Sequence, residues 1–184
     1  DTSGAKEILR GVAQAQEEFN AQGNALKIVI GDDNGDPAIA KQLAQEFVQR
    51  PEILGVIGHF SSDTSLAAAE VYEAQGLPII SATATSVNLS TAGDFIFRTV
   101  PSDRFAANTL ADYLLSRLET PNVAIFYNAA SDYSNSLKDS LTTDLFAKGG
   151  KVITEIDVNQ GAFNGAQALT EAWEREESPA AKDA

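Results

Sequence analysis

The sequence contains no cysteine and no methionine, and only one histidine and one tryptophan. Without cysteine there is no disulfide framework, no thiolate metal site and no thiol nucleophile. The redox state of the compartment therefore leaves no trace in the chain. With no initiator methionine and no signal peptide, and with Thr2-Ser3-Gly4 already leading into a helical pattern, the sequence reads as a processed or excised segment. No apolar run reaches the ~18 residues that a membrane span requires. Basic residues are scarce: 13 Lys and Arg stand against 26 Asp and Glu, a formal charge of −13. That balance argues against nucleic acid and against anionic membrane surfaces as partners. The turn from Gly58 to Ser65 has neither GxxxxGK[ST] nor GxGxxG and no lysine nearby, which argues against an enzyme built on a nucleotide-binding α/β domain.

What is present is an alternation. At 184 residues and 43% hydrophobic content the chain can bury one proper core or two small ones. Ile8, Val12, Ala15 and Phe19 recur at helical spacing over residues 3–22, and Gln22-Gly23-Asn24 ends that helix. LKIVI (Leu26 to Ile30) reads as a buried strand. Asp36-Pro37 is a strong helix start, and Ala40, Leu43, Ala44 and Phe47 supply the buried stripe that follows. Strands are predicted over 53–57, 77–80, 94–100, 123–126 and 152–156, with a loop over 82–89. Helices are predicted from Ser62-Asp63-Thr64 to Gln75-Gly76, from Phe105 with Ala106, Leu110, Tyr113 and Leu114, over 134–148, and over 166–173 before the tail ESPAAKDA. The fold class is therefore α/β, with parallel sheets flanked by helices. A composition break at Pro101-Ser102-Asp103 divides the chain into residues 1–102 and 103–184.

The stretch from Gly55 to Asn88 organises the rest. Its first hydroxyl cluster (Ser61-Ser62-Asp63-Thr64) follows one strand and opens a helix. Its second (Ser81-Ala82-Thr83-Ala84-Thr85-Ser86) follows the adjacent strand. Open α/β sheets bind ligands beyond the carboxyl ends of their strands, and a helix start presents amides to anions. Alone, the first cluster could consist of helix caps; with the second it reads as half of a pocket for a small carboxylate. Tyr133 stands in the corresponding place after the strand 123–126. His59, the sole histidine, has no nucleophile and orienting group assigned beside it, so it reads as structural. Asp32, Asn34 and Asp36 imitate a calcium loop until Pro37 takes the required glycine position and Leu43 the bidentate glutamate position. Helix capping is the reading that remains. Asn88-Leu89-Ser90 matches a glycosylation sequon by chance, Trp173 with Leu169 and Ala172 reads as a packing residue, and Glu174 to Glu177 as a solvated charge run.

The motifs DDNGDP, VIGHFSSDTSLAAAEVYEAQGLPIISATATS, FIFRTVPSD and VAIFYNAASDYSNSL, in that order, resemble the type I periplasmic solute-binding proteins of branched-chain amino-acid ABC transporters. The likeness runs from about Gly4 to Trp173 and is densest between Gly55 and Asp103. It implies two Rossmann-like lobes joined by crossover strands, with an amino acid trapped between them. By the same resemblance, Ser62 binds the ligand carboxylate through its hydroxyl and amide, and Thr85 touches both carboxylate and ammonium. The Thr83 carbonyl accepts from the ammonium, Tyr133 closes over the ligand from the second lobe, and Thr64 is a neighbour. The implied protein is not an enzyme and needs no cofactor or metal. It works in the periplasm or outside the cell and hands its ligand to a membrane permease; a ligand-sensing receptor domain is the alternative. In that family a first strand precedes the position of Asp1, and the remainder of the second lobe follows that of Ala184. The 19.5 kDa chain is accordingly expected to be a fragment of a precursor, or to pair with another segment.

Overall fold

The computed structural model describes residues 3–117, 122–161 and 163–177. The chain forms two compact units, Asp1–Ala84 with Leu89–Val100, and Thr85–Asn88 with Pro101–Ala184.

In the first unit, α1 (Ser3–Ala21) presents Ile8 and Val12 on a half-buried stripe, while Phe19 is largely exposed. The chain then turns at Gly23 and runs through 26–30 without entering a ladder. This corrects the expected buried strand. The Leu26 N–H donates to the Asn20 side chain at 2.6 Å, and its carbonyl accepts from the Gln16 and Asn20 amides, so α1 side chains occupy groups a neighbouring strand would use. Ile30 is 70% exposed.

Helix α2 (Pro37–Phe47) starts as predicted, with Asp36 accepting from the amides of Ala38 at 2.7 Å and Ile39 at 3.2 Å. Asp32 and Asp33 accept the amides of Asn34 and Gly35 in tight turns, so the acidic loop folds on itself. Strand β1 (Val56–Ile57) is shorter than expected and leads to α3 (Ser62–Gln75). The cap of α3 is Ser61, not the predicted Ser62-Asp63-Thr64: Ser61 and Thr64 form a reciprocal capping box. Gly76 closes the helix at φ 65°, a conformation that favours glycine. Then come β2 (Ile79–Ser81), a 3-10 turn (Val87–Thr91) that begins in the expected loop over 82–89 and ends two residues beyond it, and β3 (Ile96–Arg98). The strands pair in parallel in the order β1-β2-β3, with Val56 beside Ile79 and Ile79 beside Ile96. That row packs with Ala44, Ala68, Tyr72 and Leu77 against α2 and α3.

In the second unit, α4 (Asp103–Arg117) buries Ala107 and Ala111 against α5 (Asp132–Ala147). Of the predicted stripe, Leu114 packs against this core, whereas Ala106, Leu110 and Tyr113 face outward, because the small alanines are what let the two helices approach. Ser131 caps α5, and β4 (Asn122–Tyr127) pairs in parallel with β5 (Lys151–Asp157). Helix α6 (Gly165–Glu177) buries Ala168 and Ala172. Trp173 is 64% exposed and Leu169 62%, contrary to the expected packing role, since the alanine stripe is the one turned inward. The tail expected beyond the helix, 178–184, lies outside the described residues. No described helix is long and apolar enough to cross a membrane. The α/β class with parallel, helix-flanked sheets is thus realised in both units.

Candidate functional site

The first hydroxyl cluster and residues Ser81 to Ala84 of the second are joined within the first unit. After β1, Ser61 caps α3 and its carbonyl accepts from the Ser65 amide at 3.0 Å and the Ser65 hydroxyl at 2.7 Å. After β2, Ser81 donates its hydroxyl to the His59 carbonyl at 2.8 Å and accepts the amides of Ala84 at 3.1 Å and Thr83 at 3.4 Å. Thr83 in turn donates its hydroxyl to the Phe60 carbonyl. The turn carrying Ser62 and the turn carrying Thr83 are therefore stitched together at the carboxyl end of the parallel sheet. Ser62 is the first residue of α3, where amides point out of the helix end, and it is buried. Thr64 is 1% exposed and its hydroxyl is engaged with Ser61, so the capping box is the role its contacts describe.

Thr85 belongs to the second unit, although it follows Thr83 by two residues. Its carbonyl accepts the Asp103 amide at 2.9 Å at the start of α4. The neighbouring Val87 amide donates to the Ser136 hydroxyl at 2.8 Å. Ser136 lies one turn beyond Tyr133, so the Thr85 segment runs beside the first turns of α5. Tyr133 is the second residue of that helix and 47% exposed. The loop before it is held by Asn128 donating to Ser134 and by the Ala129 amide donating to Asp157 at 3.0 Å. Amides of Ala129 and Asn159 hold the half-buried Asp157 carboxyl below its ordinary range. Close by, burial alone would lower the Lys138 ammonium, but its bonds to Asp139 at 2.6 Å and Glu155 at 3.0 Å raise it overall.

Sequence reasoning did not find the polar assembly behind the first turn. His59 is 7% exposed, its Nδ1 lies 2.6 Å from Asp33 Oδ2, and its Nε2 lies 3.2 Å from the Tyr72 hydroxyl. Burial first, and then the Asp33 charge, push the Tyr72 phenol well above its usual range, which keeps it a donor. The only signal in the sequence was a lone histidine at a strand end following an Asp-rich loop. A cleft of about 200 Å³ in the second unit, lined by Tyr127, Thr154, Asp157, Glu171 and Arg175, contains none of the expected ligand contacts. Arg175 there donates to the Thr154 hydroxyl at 3.1 Å, and the stitched turns, which carry Ser62 and Thr83, remain the candidate. No described group of three or more His, Asp or Glu side chains could hold a metal ion.

A family model described as periplasmic binding protein matches residues 2–173. An amino acid binding protein of Pseudomonas aeruginosa is 27% identical over 88% of this chain and 44% of its own length. The Leu/Ile/Val-binding protein of Escherichia coli is 34% identical over 64% of this chain and 33% of its own length. Among solved structures, an ABC transporter substrate-binding protein from Desulfitobacterium hafniense in complex with Leu superposes with a TM-score of 0.75 at 26% identity, covering 92% of this chain and 50% of that one. A leucine binding protein from Thermotoga maritima, at 22% identity, shares the fold with a TM-score of 0.80 over 92% of this chain and 48% of that one. The chain thus spans half or less of the length of each of these four relatives. With a match that runs over nearly all of its residues, the chain belongs to the periplasmic binding protein family.

Proposed function

We propose that this chain is part of an extracytoplasmic solute-binding protein that captures an amino acid between two lobes, residues 1–102 and 103–184, and delivers it to an ABC transporter permease. Its place of work is the periplasm or the cell exterior, and its chemistry is recognition of a zwitterion with no bond broken. The observation that carries this reading is the joining of the Ser62 and Thr83 turns through the His59 and Phe60 carbonyls. Relatives named for leucine, isoleucine and valine, and a related structure holding Leu, support an aliphatic amino acid as the ligand.

In this reading Ser62 takes the ligand carboxylate at the start of α3, Thr83 and Thr85 hold carboxylate and ammonium, and Tyr133 closes from the second lobe with Thr64 behind Ser62. A carboxylate at a helix N-terminus gains ~0.3–1 kcal/mol from the dipole. Charge-assisted hydrogen bonds contribute ~1.5–3 kcal/mol each, or roughly 5–10 kcal/mol gross for the three hydroxylated residues with the dipole. Association costs at least ~4 kcal/mol, so these contacts without closure would bind in the millimolar to high micromolar range. Tighter binding needs closure onto Tyr133, a hinge motion about residues 101–103.

The test is isothermal titration of leucine, isoleucine and valine into the protein and into a Ser62→Ala, Thr85→Val double variant. The expected result is saturable binding that the double variant loses while its thermal melt stays cooperative. Equal affinity in the two proteins removes the site assignment.

A further inference from the structure

We propose that His59 is a positioning residue for this site: its imidazole, clamped between Asp33 and Tyr72, fixes the carbonyl on which the two hydroxyl-bearing turns converge. The inference deepens the proposed function and rests on its reading of Ser62 and Thr83 as ligand contacts. The imidazole is tied to two separate elements, the acidic loop through Asp33 and α3 through Tyr72. Asp33 is itself anchored, because its other carboxylate oxygen accepts the Gly35 amide at 2.9 Å. With the phenol protonated, the Tyr72 hydroxyl donates to Nε2 while Nδ1–H donates to Asp33, so a single tautomer satisfies both partners.

The backbone before the ring is the reason an anchor matters. Gly58 sits at φ 142°, a conformation that favours glycine and has no side chain to hold it. The Gly58 amide donates to the Ile80 carbonyl at 3.0 Å, and the side chain of His59 adds the anchor on the other side of its own carbonyl. That carbonyl accepts from Ser81 at 2.8 Å and from Ser65 at 3.3 Å. From Ser81 the chain of bonds continues to the amides of Thr83 and Ala84, and the next carbonyl, Phe60, takes the Thr83 hydroxyl. One buried imidazole thus sets the spacing between both turns without touching a ligand. Neutral hydrogen bonds of this kind are modest singly, but these end on the His59 carbonyl, the Phe60 carbonyl or the Ser81 hydroxyl that the first carbonyl holds, so a shift of residue 59 is passed to every member.

The experiment compares wild type with His59→Phe, His59→Asn and Tyr72→Phe by residue-resolved amide exchange without ligand, and by leucine titration. Loss of one hydrogen bond's worth of restraint predicts about tenfold faster exchange at Thr83 and Ala84 in His59→Phe, with the Ile79 amide in the ladder unchanged. Leucine affinity falls by about tenfold in the same variant. His59→Asn, whose amide nitrogen can reach Asp33 as Nδ1 does, recovers most of both, and Tyr72→Phe shows the same pattern more weakly. Exchange that rises uniformly across the unit, or an Asn variant no better than Phe, reduces His59 to a packing residue and overturns the proposal. If His59→Phe does not fold, Tyr72→Phe with wild-type exchange at Thr83 and Ala84 overturns it equally. Wild type that ignores leucine while the exchange pattern holds points to failure of the ligand reading and leaves the positioning role standing.

Discussion

The two parallel sheets are covered differently, and the difference shows what an apolar strand can and cannot announce. In the second unit α5 lies on one face of β4–β5, with Lys138 and Thr142 reaching Glu155, and α6 lies on the other, with Arg175 reaching Thr154. A register irregularity after Val123 turns Val152 toward the α4–α5 core and Thr154 toward α6. In the first unit α2 and α3 cover only one face. Ile57, Ile80 and Phe97, neighbours in a single register row, are 58%, 43% and 52% exposed on the other. Parallel strands read as continuous apolar runs because such sheets are ordinarily covered on both faces. Here one run carries two environments that alternate residue by residue.

The sharpest probe of that contrast is a pair of adjacent residues. Ile79→Ala empties a fully buried position between Tyr72 and the flanking strands and is expected to cost ~2–5 kcal/mol in urea denaturation. Ile80→Ala, one residue on, is expected to cost well under half as much, since much of its side chain is already in water. Equal costs would mean that the exposed row is covered in solution. A smaller effect is expected at the caps that begin α3 and α5. Ser61→Ala removes the side chain that accepts the Thr64 amide and should lower stability by ~1 kcal/mol in the same assay. Ser131→Ala in the second unit tests whether the corresponding cap has the same weight. Least is expected from Asp157. Its carboxyl is depressed by the Ala129 and Asn159 amides, so its contribution is present above the unfolded-state value of about 3.9 and is lost as pH falls through the lower folded-state value. The difference in melting temperature between wild type and Asp157→Asn should therefore be constant near neutrality and shrink below about pH 4.

Much of this architecture was legible because local chemistry agreed with tertiary placement. Asp36-Pro37, Gly76 and the alternation of strands and helices marked real boundaries. Residues 26–30 failed because a β-branched run specifies a strand only where a partner strand is aligned, and α1 side chains occupy the Leu26 backbone groups. Ala106, Leu110 and Tyr113 on α4 and the exposed Trp173 failed for another reason: alanine faces carry a weak hydrophobic signal, yet close helix approach selects them. At the site, consecutive hydroxyls marked the turn but not which of them caps, since Ser, Thr and Asp are all strong caps. The Asp33–His59–Tyr72 assembly could not be read at all. Its members lie 26 and 13 residues apart from the histidine, and only the fold brings them into hydrogen-bond range.

The central claim is that a small zwitterion binds at the turns carrying Ser62, Thr83 and Thr85. Titration of leucine into isotopically labelled protein, followed amide by amide, tests it most directly. The account predicts saturable shifts at residues 62–64, 83–85 and 133, and at the hinge residues 101–103, with the Arg175–Glu171 cleft unmoved. Shifts confined to the Arg175–Glu171 cleft, or none at any leucine concentration up to the millimolar range expected without closure, would contradict it.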